Sequence, residues 1–190
     1  MSPRRRVPIL LALAALATVA GAATARPALE GPDYYGALEA FGDVCVKSAS
    51  HAEMLRKVQA TGWRALNGED VPAMVRGNGM VSLEEVRQGE IAAEPVLLAV
   101  GDLGGTSYCR VYFHSVDPAA MQKRLRTLKV LGSTLGFPDF DGKLNFPEGW
   151  SAVGWHRTVQ DQWRALHYSF DADGQGPNAA WQAIEITRAI

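Results

Sequence analysis

Cysteine is the scarcest reactive residue in this chain. There are two, Cys45 and Cys109, far apart in sequence. They form no C-x-x-C pair, which argues against a redox motif, and two thiols alone are a poor zinc set. An excess of positive charge is also missing: 19 Lys and Arg stand against 20 Asp and Glu. A nucleic-acid binder needs a net basic surface, so no nucleic-acid partner is expected. After residue 25 no apolar run approaches the roughly 20 residues of a membrane-spanning helix. The familiar catalytic signatures are absent too. There is no H-E-x-x-H and no Walker sequence. The stretch "GSTLG" is not G-x-S-x-G, and its Ser133 falls within or at the end of a predicted helix rather than after a strand. "GDLGG" links two predicted strands and opens no helix, so it is no phosphate cradle. His114, His156 and His167 show neither H-x-H nor H-x-x-x-H spacing, so no metal and no cofactor is expected.

What is present begins with a leader. Arg4, Arg5 and Arg6 precede a short Leu- and Ala-rich run, and Ala23-Thr24-Ala25 supplies a small-residue exit. Basic start, greasy core and A-x-A exit are the parts of a cleavable secretory signal peptide over residues 1–25. A retained anchor is the rival; the run is short and rich in alanine for one. The paired arginines leave open twin-arginine as well as general export. The Ala-rich signal looks bacterial, which predicts a periplasmic or secreted protein with no stable membrane insertion after cleavage. Loss of Arg4–Arg6 makes the remaining chain more acidic. Residues 26–190 are of ordinary size for one domain. An oxidising compartment lets Cys45 and Cys109 pair as a structural disulfide, the alternative being two buried free thiols.

Periodicity organises the rest. Leu38, Phe41, Val44 and Cys45 fall at helical spacing over 37–47. Ser50 and Glu53 form a capping box for a second helix, which Gly62 ends. Residues 63–95 are the least regular; Ser82, Glu85 and Gly89 predict one or two helical turns there. From Pro95 the period changes to two, and "VLLAVGDLGGTSYCRVYFH" predicts a hairpin. Cys109, Val111 and Phe113 share its core face; Tyr108, Arg110, Tyr112 and His114 share the other. Asp117 and Pro118 start a helix whose stripe runs Met121, Leu125, Leu128, Leu131, Leu135 to a stop at Gly136. Three strands follow, at about 150–159, 163–170 and 181–188. The sum is an α+β domain: a mostly antiparallel sheet of about five strands, helices packed on one face, and one disulfide.

The far face of that sheet is the candidate functional surface. Alternation places on it Tyr108, Arg110, Tyr112, His114, His156, Trp163, His167 and Glu185, with Gly154 and Trp181 beside them and Ala152, Ala165 and Ala183 as a small-residue floor. Such a face can equally be the solvated side of an antiparallel sheet, or a second core if residues 63–95 fold over it. Two D-x-D-G stretches, from Asp139 and from Asp171, have the spacing that opens a calcium loop, but neither reaches a glutamate at the twelfth position. "DADGQGPN" lies between two predicted strands and reads as a turn.

Phe41-x-x-x-Cys45 soon after a leader, Gly62-Trp63 after the second helix, and Cys109-Arg110-Val111 in a strand resemble a family of small exported proteobacterial proteins of unassigned function. The resemblance spans most of residues 26–190. It implies an exported, disulfide-containing domain and adds no catalytic residue. The expected function is a non-enzymatic periplasmic binding or interaction module for an envelope protein, a peptide or another periplasmic ligand. The competing expectation is a small periplasmic hydrolase with His156 or His167 as acid/base.

Overall fold

The two apolar runs of 95–114 form two long neighbouring strands, and the rest of the fold grows outward from them. The computed structural model describes residues 33–77, 79–114, 117–130, 132–144, 147–159, 162–176 and 178–189, without the side chains at 33–35, 159, 162 and 163. The expected leader at 1–25 and Leu131 lie outside the described residues. Helix α1 (Asp33–Ala40) runs into a π-helical turn, Phe41–Val46, and α2 (His51–Ala60) follows. Strand β1 (Arg64–Ala65) leads to the one-turn helix α3 (Ala73–Arg76). Strands β2 (Ser82–Ile91), β3 (Glu94–Asp102) and β4 (Ser107–His114) make a meander. Helix α4 (Pro118–Thr127) is followed by a small hairpin, β5 (Lys129–Val130) and β6 (Ser133–Thr134). Strands β7 (Phe140–Lys143), β8 (Trp150–Val159), β9 (Gln162–Asp171) and β10 (Trp181–Arg188) complete the described fold.

The domain is α+β, as expected, but its main sheet has eight strands rather than about five. Their order is β1-β2-β3-β4-β10-β9-β8-β7, and every neighbouring pair is antiparallel. The extra strands are β1, β2 and β7. Of these, β2 corrects the expected helical turns at "SLEEVRQG". Ser82, Glu85 and Gly89 imitate a capped helix, but the segment pairs with β3 from Ser82↔Asp102 to Ile91↔Glu94. Gly89 is not a helix stop: the Trp63 ring lies so close over it that an added Cβ would overlap the indole. The β2–β3 turn also carries no glycine or asparagine signal. Ala92 and Ala93 make it, at φ of 53° and 65°. Positive φ at both turn residues matches the twist of a tight hairpin, usually at Asn-Gly.

A second correction concerns the helix expected to reach Gly136. Helix α4 is capped as expected, Asp117 accepting from the N–H groups of Ala119 and Ala120. It stops at Thr127, however, and Leu128 turns extended. Val130 and Thr134 are β-branched and Gly132 between them sits at φ 86°, so the segment pairs with itself and folds Leu135 back to the core.

One sheet face carries the main core. Phe41, Val44, Cys45, Met54, Val58, Met121 and Leu125 from the helical layer meet Leu98, Cys109, Val111, Trp155, Tyr168, Ile184 and Ile186 from the sheet. The expected disulfide is present: Cys45 and Cys109 are bonded, with Cα atoms 5.5 Å apart, and both are fully buried. Cys109 lies between Val100 of β3 and Ile186 of β10, so the bond fastens the π-turn to the middle of the sheet. The helices are not all on that face. Residues 66–76, including α3, cover part of the other face as a second core with Leu66, Val71, Met74 and Val75 against Val86, Leu97, Tyr112 and Trp150.

Two stability outcomes follow from this packing. Replacing Cys45 and Cys109 together by alanine is expected to cost about 4 kcal/mol, from the loop the bond closes, measured by denaturant unfolding of oxidised wild type against the variant. Replacing Ala92-Ala93 by Asn-Gly is expected to raise stability by about 1 kcal/mol, because those residues tolerate positive φ; an unchanged or lowered unfolding midpoint would contradict the turn assignment.

Candidate functional site

Strand register builds a single row across the far face of the sheet. Phe140 lies opposite Gly154, Gly154 opposite His167, His167 opposite Glu185, and Glu185 opposite Arg110. Directly opposed residues are close enough to interact. His156 stands two places along β8 from Gly154, on the same face. Gly154 makes the crowding possible. A Cβ there would overlap His167 Cδ2 and lie 2.9 Å from its Nε2, so the missing side chain is the space in which the imidazole rests.

The row is joined by a continuous chain of polar contacts. Asp139 Oδ1 lies 2.6 Å from His156 Nδ1. His156 Nε2 faces His167 Nε2 at 3.2 Å. His167 Nδ1 lies 3.0 Å from Glu185 Oε1, and Glu185 Oε2 pairs with Arg110 Nε at 3.1 Å. Arg110 then donates to Ser169 Oγ at 2.6 Å and to the Tyr112 hydroxyl at 3.3 Å. The chain runs from solvent inward: the Asp139 and His156 side chains are 40 % and 35 % exposed, those of Glu185 and Arg110 15 % and 11 %. Phe140 lies edge-on to both imidazoles, with ring centroids 6.5 Å from His156 and 5.9 Å from His167.

Electrostatics draws both carboxylates below their ordinary pKa values. Burial by itself would raise Glu185, but the Arg110 guanidinium and the His167 hydrogen bond hold it below its ordinary value. Partial burial acts the same way on Asp139, and there the backbone N–H and ring of His156 and the Arg157 guanidinium overcome it. Tyr108, buried beside Arg110, is pushed well above the ordinary phenol value by desolvation.

A cleft of about 280 Å³ opens where the second core ends. Met74, Met80, Leu103 and Leu144 wall it, and Arg110 and Glu185 lie on its sheet side. Met80 is 66 % exposed at its mouth. The cleft and the imidazole pair therefore share the Arg110–Glu185 ion pair.

Four of the eight expected surface residues come together: Arg110, His156, His167 and Glu185. Tyr108 and Tyr112 border the cleft but are buried, 5 % and 0 % exposed, because α3 and the residues before it cover them. They form the second core that the sequence left open. His114 is placed elsewhere. It contacts Glu94 Oε2 at 3.3 Å and the Trp181 ring at a centroid distance of 4.0 Å, four residues along β10 from Glu185. The Trp163 backbone pairs with Thr158, and its side chain lies outside the description. The "DADGQGPN" segment connects β9 and β10, as expected of a turn, and Asp171 accepts from the N–H groups of Asp173, Gly174 and Gly176. Missing from the sequence-based set are Asp139, Ser169 and Phe140. Ser169 was accessible by alternation from His167. Asp139 was singled out only for its D-x-D-G spacing, and nothing local revealed its contact with His156.

Among the described residues no group of three or more His, Cys, Asp and Glu side chains is arranged to hold a metal ion. No described helix is long and apolar enough to cross a membrane. Comparison with protein-family models, with curated proteins and with solved structures finds no match to this chain.

Removing the Glu185 charge tests the row. Because Glu185 titrates below its ordinary value in the folded protein, its contribution is present above the unfolded pKa and is lost as pH falls through the folded one. Glu185→Gln is expected to lower stability at neutral pH by about 3 kcal/mol or more, since Arg110 loses its buried partner. It is also expected to flatten the decline in stability below the ordinary glutamate pKa, measured by denaturant unfolding across an acid series.

Proposed function

We propose that this chain is an exported, non-enzymatic binding module that receives a bulky apolar group of a peptide or envelope component in the cleft beside Arg110 and Glu185. The observation that carries this reading is the cleft itself: about 280 Å³, methionine-walled, with polar groups on one side only. Pockets for small ligands are mostly apolar with a few fixed polar groups that orient the guest. Methionine side chains adapt to guests of different shape, a property suited to peptide recognition. The ion pair on the sheet side offers a peptide amide both a donor and an acceptor. Export and residence in the periplasm belong to this proposal through the leader-like residues 1–25 and the family resemblance. The buried disulfide is compatible with an oxidising compartment.

A second reading has its own observation, the Asp139–His156–His167–Glu185 chain. Carboxylate-oriented imidazoles are the acid/base equipment of hydrolases. His167 is bonded to Glu185 and His156, and in this reading the imidazoles would activate a water.

An array of peptides with varied central side chains separates the two. The binding reading expects retention of peptides carrying a large apolar residue and loss of that retention, by about tenfold or more, in Leu103→Asp. It expects unchanged retention in His156→Ala. Ester or peptide turnover that disappears in His156→Ala would replace the binding reading by the hydrolase one.

A further inference from the structure

The helical face of the sheet carries a row of like charges at one end. Arg157 of β8 lies directly opposite Arg164 of β9, and Arg164 directly opposite Arg188 of β10. Alternation puts all three on the face of Trp155, Leu166 and Ile186, away from the imidazoles. Like charges at directly opposed positions destabilise a sheet. Here the row also runs inward: Arg157 is exposed, Arg164 half-buried and Arg188 only 4 % exposed. Among the described residues no acceptor meets Nε or Nη2 of Arg188, although buried charges are ordinarily paired and hydrogen-bonded. Glu53 of α2 favours the Arg188 charge from nearby, but its carboxylate is engaged by Lys57 at 3.2 Å and by the Ala49 N–H at 2.7 Å.

A pocket of about 160 Å³ opens beside this row, between the β5–β6 hairpin and the sheet. Arg157 and Arg164 line it together with Ser133 and Thr134, and Val130, Leu135, Trp155 and Leu166 make it apolar elsewhere. Ile186, two places before Arg188 on the same strand face, belongs to its wall. We propose that this pocket binds a small organic anion, its carboxylate or phosphate head on the arginine row and its apolar body against Trp155 and Leu166. Guanidinium forks match the oxygen pairs of both head groups. The volume sets the size of the body, since a cavity of about 150 Å³ takes one benzene ring. Arg157 is held in place for the task by Asp139 Oδ2 at 2.9 Å and by the Leu135 carbonyl at 3.2 Å. Burial and the Arg164 charge lower the Arg188 pKa, and Glu53 opposes them, which marks this end of the row as one that negative charge would stabilise. The pocket lies on the opposite face from the cleft beside Glu185. The inference therefore does not rest on the peptide-binding reading, and a peptide that fails to bind leaves it untouched.

The test is calorimetric titration of the full chain with benzoate, phenyl phosphate, benzyl alcohol and inorganic phosphate. Benzoate or phenyl phosphate is expected to bind with one-to-one stoichiometry, and the tighter of the two identifies the head group. Benzyl alcohol lacks the charge and inorganic phosphate lacks the apolar body, so each is expected to bind more weakly by about tenfold or more. Arg164→Gln and Arg188→Met should each weaken the preferred anion by about tenfold or more. Arg64→Gln, on β1 at the other end of the sheet order, should leave it unchanged. Without ligand, Arg188→Met is expected to keep or raise the unfolding midpoint, because it removes a buried charge in favour of an apolar chain. If Arg188→Met does not fold, Arg164→Gln, with a circular-dichroism spectrum matching wild type, carries the test. Absence of binding by both organic anions overturns the proposal. So does equally tight binding of benzyl alcohol or inorganic phosphate, or binding indifferent to the arginine substitutions.

Discussion

A buried covalent bond between the π-turn and the central strand gives the two faces of this sheet their different fates. Cys109 lies mid-sheet, and Cys45 sits on the helical stripe with Phe41 and Val44. Their bond commits one face to the helical layer. Because successive strand residues point to opposite sides, it also commits Tyr108 and Arg110 to the other. From there, strand register does the positioning. Arg110, Glu185, His167 and Gly154 are neighbours because four strands pair without a slip between them.

The far face divides in two. Over β2, β3 and β4 it is a second apolar core under residues 66–76. Toward β8 and β9 it is polar, with imidazoles near the surface. The Arg110–Glu185 pair marks the border. Buried ion pairs are seldom a net gain in stability over apolar substitutes. Here the pair has three neighbours to orient, Ser169, Tyr112 and His167, and it lies beside the cleft.

The parts of the fold that could be read from sequence were those in which one strong period governs a long run. The hairpin at 95–114 was legible as two apolar runs around a Gly-rich turn, and there and in the strands near 150, 163 and 181 the two-residue repeat of strand geometry was enough to assign the inward faces. β2 was not, because Ser82, Glu85 and Gly89 carry helix signals locally while the pairing that overrides them comes from β3 and from Trp63 stacking on Gly89. The α4 stripe misled for a related reason: leucines at helical spacing continue past Thr127, but Val130 and Gly132 favour a turn back. At the candidate site, alternation found every member that lies on a long strand except Ser169. It did not find Asp139, which precedes a short edge strand and meets His156 only through tertiary pairing.

The sheet's two outermost strands are also its shortest along the described pairing: two residues in β1 and four in β7, the latter bearing Asp141 and Lys143. A foreign strand seeking to extend the layer meets charge at both margins, Arg64 on β1 and Asp141 and Lys143 on β7, although β1 covers only Arg87 and Gln88 of the longer β2. A broad eight-stranded layer would otherwise be an inviting template for fibrous association, and it is the charges at these margins that stand against it.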